Sequence, residues 1–189
     1  MLRTTLLSAA VAVAATAAPA AMIDFGDGAF LGGITGYSED GFDFAFSGSA
    51  FIFSGDNANF NGFDTTGRQL ELDSAVATIT TGGALFDFTS VLFATSGVSG
   101  AVFTGTFADA TTITETVTGP LAATPGAAVV TFSGFEDLVS LEIDGSATGF
   151  TLYDDMHLSL ADTAPIPLPA GLPLLAAALG GLALLRRRG

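Results

Sequence analysis

The chain has 189 residues and no cysteine, which excludes disulfides, thiol catalysis and Cys-ligated zinc. All 19 acidic residues fall between Asp24 and Asp162, where Arg68 is the one basic residue and lysine is absent, giving that interval a formal charge of −18 (19 against 1). Such a surface repels phosphates and anionic lipid heads, so nucleic acid is excluded as a partner, and cations or neutral glycans suit it.

The N-terminus reads Met1-Leu2-Arg3, then an Ala/Val/Leu run over 6–18, then Ala18-Pro19-Ala20 before Ala21. One positive charge, a short apolar helix and small residues at the cleavage positions predict a signal peptide over 1–20, removed by signal peptidase. The apolar run falls short of the ~20 residues of a membrane span. With the two ends set aside, the chain has room for one domain, expected over 21–162.

Within that domain, short apolar or alternating runs are separated by Gly, Asn, Asp, Ser and Pro, the pattern of an all-β fold. Phe42, Phe44 and Phe46 share one face of a strand, and Phe51 and Phe53 repeat the device. Leu70 and Leu72 stand opposite Glu71 and Asp73. Phe86, Phe88 and Leu92 mark the next strand, and Val102 and Phe103 the one after. Thr112, Thr114, Thr116 and Thr118 alternate with Ile113, Glu115 and Val117, which predicts a half-exposed strand near an edge. Val139, Leu141 and Ile143 are expected to face one way, and Phe150, Leu152, Met156, Leu158 and Leu160 to close the domain in one long strand. About ten runs spaced by turn signals favour a two-sheet β-sandwich. A membrane β-barrel is set aside because its strands should run ~10 residues with lipid-facing alternation, whereas these read as shorter and Gly-broken.

The C-terminus, 163–189, carries Pro165, Ile166-Pro167-Leu168-Pro169-Ala170, an apolar stretch over 174–185 and then Arg186-Arg187-Arg188. Arginines directly after an apolar helix stay on the cytoplasmic side, so a transmembrane helix is expected with the domain outside. The prolines make an extended strip ahead of it. This order of elements closely resembles the VPLPA-CTERM tail of the PEP-CTERM sorting family, with Ile166 in place of that family's valine. The resemblance covers roughly the last 25 residues. It implies an exosortase-type processing enzyme as partner, in a Gram-negative bacterium that makes extracellular polysaccharide. The protein would be anchored in the inner membrane before processing and reach the envelope surface or the medium after it. A plain retained anchor would use the same residues.

A second resemblance covers 135–141 and 149–156, which are similar to the last two strands of jelly-roll, carbohydrate-binding-like domains in PEP-CTERM proteins. It implies a jelly-roll-like sandwich and a structural calcium between the first strand and the last, pairing Asp24 or Asp27 with Asp154 or Asp155. On the residues alone, alternation from Phe150 through Leu152 to Met156 puts Asp154 on a buried face, where an unpaired carboxylate is costly. A bulge turning it outward, backbone N–H donors or a bound cation would each answer that cost.

Other sites carry less. The loop Asp56-Asn57-Ala58-Asn59-Phe60-Asn61-Gly62 begins like an EF-hand, but Arg68 stands where a bidentate Glu is needed. His157, the one histidine, is expected on an exposed strand face beside Tyr153 and Asp155, and no Gly-x-Ser-x-Gly turn occurs. No catalytic residues are assigned. Tryptophan is absent, Tyr37 and Tyr153 are the only tyrosines, and the 17 phenylalanines read as core. The expectation is an exported, non-catalytic structural or glycan-binding module linked to exopolysaccharide. The alternative is a polysaccharide-modifying hydrolase on the same scaffold.

Overall fold

The alternating runs become strands. The computed structural model describes residues 20–26, 31–54, 68–95, 100–118, 127–145 and 150–161, and these contain no helix. The expected signal peptide, the Asn-rich loop, the sorting motif 166–170, the transmembrane stretch and Arg186–Arg188 lie outside the described residues. Among the described residues no helix is long and apolar enough to cross a membrane. Every described residue falls inside one compact unit bounded by Ala18 and Ala161.

Ten strands are present: β1 (Ala20–Ile23), β2 (Leu31–Glu39), β3 (Phe42–Ser54), β4 (Arg68–Thr80), β5 (Phe86–Thr95), β6 (Gly100–Phe107), β7 (Thr112–Thr118), β8 (Ala127–Thr131), β9 (Leu138–Asp144) and β10 (Phe150–Leu160). β2 and β3 form a hairpin whose turn residues Asp40 and Gly41 both take positive φ, +48° and +86°. Positive φ at both central residues matches the right-handed twist of the flanking strands.

All ten strands belong to one hydrogen-bonded sheet, with the path β2-β3-β4-β10-β5-β9-β6-β7 and with β1 and β8 attached at its sides. The expectation of two separate sheets is corrected by β4. Its first half, Leu70–Asp73, pairs with β10, whereas its second half, Val76–Ile79, pairs with β9. β3 accompanies it, with a register break between Ser47 and Ser49. The strands turn at Gly48 (φ +107°) and at Ser74 (φ +52°). A β-carbon on Gly48 would stand 2.9 Å from both the Ala75 Cα and the Ser74 carbonyl oxygen, so the corner needs glycine for space as well as for φ. The result is one sheet folded into two layers: β1, β8, β10, β5 and the near halves of β3 and β4 in the first, β9, β6, β7 and the far halves in the second. Strands that switch layers through bulges are how orthogonal sheet corners are made.

The core lies between the layers. Phe88, Phe93 and Tyr153 of the first layer meet Phe103 of the second at centroid distances of 5.9, 6.4 and 6.2 Å. Phe132 and Phe135, between β8 and β9, close against Phe88 and Phe103. Each such ring contributes by burial and by stacked, tilted or edge-on contacts. β3 and β4 run 13 residues, longer than the sequence suggests, so strand length is not what argues against a membrane barrel. A phenylalanine-packed interior is.

Two faces differ from the sequence reading. Val139 is exposed, while Leu138, Leu141 and Ile143 point inward, because the β6–β9 register shifts between Thr106 and Phe107. In β5, Val91 and Phe93 are buried and Leu92 packs outside the main core. The Thr112–Thr118 edge strand forms as expected, its threonines exposed and Ile113, Glu115 and Val117 half-buried.

Candidate functional site

The corner at Gly48 and Ser74 decides what the outer face of the first layer carries. Ile52, Leu70 and Leu72 point into the core, so Phe51, Phe53, Gln69, Glu71 and Asp73 project to the other side. Register then sets them in rows. Phe53 pairs with Gln69 and Phe51 with Glu71; Glu71 pairs with Leu152, Leu152 with Ala94, and Ala94 with Ala127. Phe51 and Phe53 stack, their centroids 5.8 Å apart and their planes 25° apart. Leu152 and Ala94 form a small apolar cluster with Leu92, distinct from the main core.

Two polar side chains stand in this apolar surround. Gln69 is fully buried, and neither Oε1 nor Nε2 meets a hydrogen-bond partner among the described residues. Glu71 is 6% exposed, and burial, helped by the charge of Asp73, pushes its carboxyl up to about 7. Unsatisfied amide atoms and an uncompensated carboxyl are costly features for a structural surface. Leu152 and Ala94 beside them are buried as well, while Phe51 and Phe53 are half-buried.

A second cluster gathers where β1, β2 and β10 end. Asp24 follows β1, and its Oδ1 accepts the Gly26 N–H at 2.9 Å in an Asx turn. Glu39 ends β2; its Oε2 accepts the Tyr37 hydroxyl at 3.0 Å and its carboxyl hydrogen-bonds with Asp24. Asp154 Oδ1 accepts the Asp155 N–H at 2.8 Å. Burial first, then neighbouring acids, pushes both Glu39 and Asp154 up to about 7. The same causes hold the Tyr37 hydroxyl well above its ordinary value. Arg68 reaches toward this region, its Nη1 donating to the Phe25 carbonyl at 3.4 Å.

The predicted site residues divide accordingly. Asp24 and Asp154 are drawn into one carboxyl cluster with Glu39; Asp155 adjoins it, and Asp27 lies outside the described residues. Asp154 is buried, 3% exposed, as alternation suggested, but its face is different. Asp155 takes φ +44° and the β10–β5 register breaks between Asp154 and His157. This bulge puts Tyr153, Met156 and Leu158 in the main core and leaves Leu152 and Asp154 on the outer side. Tyr153 is therefore corrected from a possible sugar platform to a core residue. His157 is exposed as expected, no longer on the same side as Tyr153. Phe51 and Phe53 are corrected from core to outer face.

Gln69, Glu71 and Glu39 were not singled out by sequence. The signal for the first two was present in the alternation of Gln69, Glu71 and Asp73 with Leu70 and Leu72, but alternation alone assigns such residues to solvent.

The implied calcium finds an oxygen-only, like-charged donor set here, which suits a hard cation. Yet the carboxylates already take N–H, O–H and carboxyl partners, and among the described residues no group of three or more Asp, Glu or His is arranged to hold a metal ion. The resemblance pairs Asp24 or Asp27 with Asp154 or Asp155, and of these Asp27 lies outside the described residues.

Taken together, the described residues define an all-β protein with an aromatic and carboxyl-bearing outer sheet face. No protein-family model and no curated protein matches the chain. Among solved structures it is similar to the CBM22-1 and GH10 modules of a Clostridium thermocellum endo-1,4-β-D-xylanase complexed with xylohexaose, at 14% identity and a TM-score of 0.39 over 67% of this chain and 28% of that one. It is also similar to a family 29 carbohydrate-binding module, at 10% identity and a TM-score of 0.37 over 80% of this chain and 100% of that one. A third likeness is to the family 11 carbohydrate-binding module of a Clostridium thermocellum cellulosomal cellulase, at 10% identity and a TM-score of 0.36 over 77% and 96%. This chain thus spans just over a quarter of the xylanase modules and the whole of the family 29 module. Likenesses at these TM-scores assign this chain no ligand.

Proposed function

We propose that this chain is an exported envelope or extracellular-matrix protein of a Gram-negative bacterium, sorted through the VPLPA-type tail at Ile166–Ala170, whose β-sandwich is a non-catalytic glycan-binding module of jelly-roll type. The observation that carries the glycan part is the outer face of the first layer, where the stacked Phe51 and Phe53 rings adjoin the partnerless Gln69 amide and the Glu71 carboxyl. Half-buried aromatic rings can take the C–H side of a sugar. Glycan-array binding of the purified full chain, lost in Phe51→Ala/Phe53→Ala, tests it; a chain that binds no glycan refutes it.

The address rests on the order of the C-terminal elements and on the terminal arginines. Mass spectrometry of protein recovered from cells tests it: loss of Arg186–Arg188 is expected after exosortase processing, and an intact C-terminus refutes processing. Structural calcium held by Asp24, Asp27, Asp154 and Asp155 belongs to the same proposal. Titration with Ca²⁺ after chelation is expected to release heat and raise Tm; the absence of both heat and a Tm change would rule the metal out.

One observation favours the hydrolase reading: Glu39 and Asp154, pushed up to about 7 beside Asp24, resemble a protonated acid next to a base. Against it, Asp154 is buried and committed to the Asp155 N–H. Reducing-sugar release that disappears in Glu39→Gln would establish that reading in place of the first.

A further inference from the structure

We propose that the free edge of β8 is a strand-pairing surface whose occupant is a second copy of this chain, the two β8 strands meeting antiparallel about a twofold axis. β8 pairs on one side with β5, Val130 opposite Val91 and Val129 opposite Leu92, and with no other described strand. The Phe132 N–H donates to the Thr89 carbonyl of β5 at 2.9 Å, so the carbonyl of Thr131, at the other end of that planar peptide unit, points the opposite way. Main-chain groups alternate along an antiparallel strand. Ala128 and Val130 therefore bond to β5, and the N–H and C=O of Ala127, Val129 and Thr131 aim away from it, where no described main-chain group meets them. On the outer side Thr131 is exposed and Val129 is 66% exposed, while Val130 packs on the main core.

An open edge of this kind accepts another strand, and what β8 lacks identifies the partner. The other described edges are guarded: β7 carries a half-buried, inward-turned Glu115, β2 ends on Glu39 and breaks register twice with β3, and β1 spans four residues ahead of Asp24. β8 has no charge, no proline and no register break. Its surroundings are neutral too, since the stretches 88–108 and 116–135 contain none of the 19 acids and no basic residue. In an interval of formal charge −18, two copies meet with least repulsion at such a place, whereas a cationic partner would be drawn to the acidic faces instead. The strand is also complementary to itself. With the axis on Val129, Val129 of each copy faces the other as a hydrogen-bonded pair and Ala127 of each faces Thr131 of the other, so every outward-aimed donor meets an acceptor. Facing residues place their side chains on one side of a sheet, so the outer faces of both first layers would look the same way.

Sedimentation velocity of the purified full chain from about 10 µM to about 1 mM tests the pairing, because one short strand pair makes a weak interface. A concentration-dependent dimer is expected, its fraction rising as salt screens the repulsion between copies. The Val129 and Thr131 amides are expected to exchange hydrogen about fivefold more slowly at the high end of the range than at the low end. Val129→Pro removes the central outward N–H, which an edge strand tolerates; it should stay monomeric and melt within about 3 °C of wild type. Val130→Pro, which removes an inward N–H, should instead lower Tm by about 10 °C or more. A chain that remains monomeric across the range, or Val129 and Thr131 amides whose exchange does not change with concentration, overturns the second copy as occupant. A dimer that persists in Val129→Pro, or that dissociates as salt rises, overturns β8 as its interface. A Val129→Pro chain as destabilised as Val130→Pro overturns the open edge itself.

Discussion

Glu71 also governs how the fold should respond to pH. Its carboxyl is carried from an ordinary 4.5 up to about 7 by burial and by Asp73. Between those values the unfolded chain has released this proton and the native chain has kept it. The contribution is therefore fully present below about 4.5, declines as pH rises through the window and is gone above about 7. The linkage amounts to at most about 3 kcal/mol, and solvent at the exposed edge trims it to roughly 1–3 kcal/mol. For a domain of this size that is roughly 2–12 °C in Tm. Glu39 and Asp154 are raised in the same direction, so the wild-type slope should be steeper than Glu71 alone provides. Melting curves across the window, for wild type and Glu71→Gln, are the assay. The wild type is expected to melt higher at the acid end. Glu71→Gln, which places a neutral isostere on the dry face, should flatten part of that slope and exceed wild type at the alkaline end. If Glu71→Gln melts at or below wild type there with an unchanged slope, the carboxyl is ionised and compensated, and the account of this face as apolar and uncompensated is wrong.

Gly48→Ala should destabilise by about 1–3 kcal/mol in urea titration, because the corner combines φ +107° with 2.9 Å approaches to Ser74 and Ala75. Unchanged stability would mean that the β3–β4 bend lies elsewhere. Tyr153→Phe should stay within about 1 kcal/mol of wild type, since the buried hydroxyl meets no partner among the described residues, while Tyr153→Ala should cost about 3–5 kcal/mol as a core cavity. Phe51→Ala should cost less stability than Phe88→Ala, roughly 1–2 against 3–5 kcal/mol, yet be the one that lowers glycan binding; the reverse order in both assays would move the binding rings to the inner side of the first layer.

Period-two patterning made much of the fold readable before any coordinates. Phe42, Phe44 and Phe46, Leu70 and Leu72, and the Thr112–Thr118 ladder all lie as alternation places them, because each falls within a stretch free of bulges. Beyond a bulge the same rule inverts, since one inserted residue moves every following side chain to the opposite face. Phe51 and Phe53 face outward in phase with the buried Phe42, Phe44, Phe46, Ala50 and Ile52, while the residue inserted at the corner lies on β4, where the inward set passes from Leu70 and Leu72 to Ala75, Ala77 and Ile79; the break at Asp155 exchanged the faces of β10, making Tyr153 core. Gly48 carried a visible hint of its corner. Asp155 and Ser74 carried none, being ordinary residues held at positive φ by their surroundings. The candidate face was illegible for a different reason: it is assembled by the pairing of β3, β4 and β10, strands far apart in sequence, which alternation within one strand does not report. Asp154 shows both sides of this: its burial followed from the pattern, while its neighbours Asp24 and Glu39 came from strands distant in sequence.

The strands shared between layers have a mechanical meaning for a chain without cysteine. In sandwiches built from independent sheets, the two halves are held by side-chain packing alone and can part like the covers of a book. Here the backbones of β3 and β4 run through the hinge, and β2 pairs with β3 on both sides of the break, so parting the covers means straightening two adjacent strands at once. That continuity ties the opening of the aromatic core to the loss of main-chain hydrogen bonds in both layers. It gives a chain without disulfides a clasp made of its own main chain.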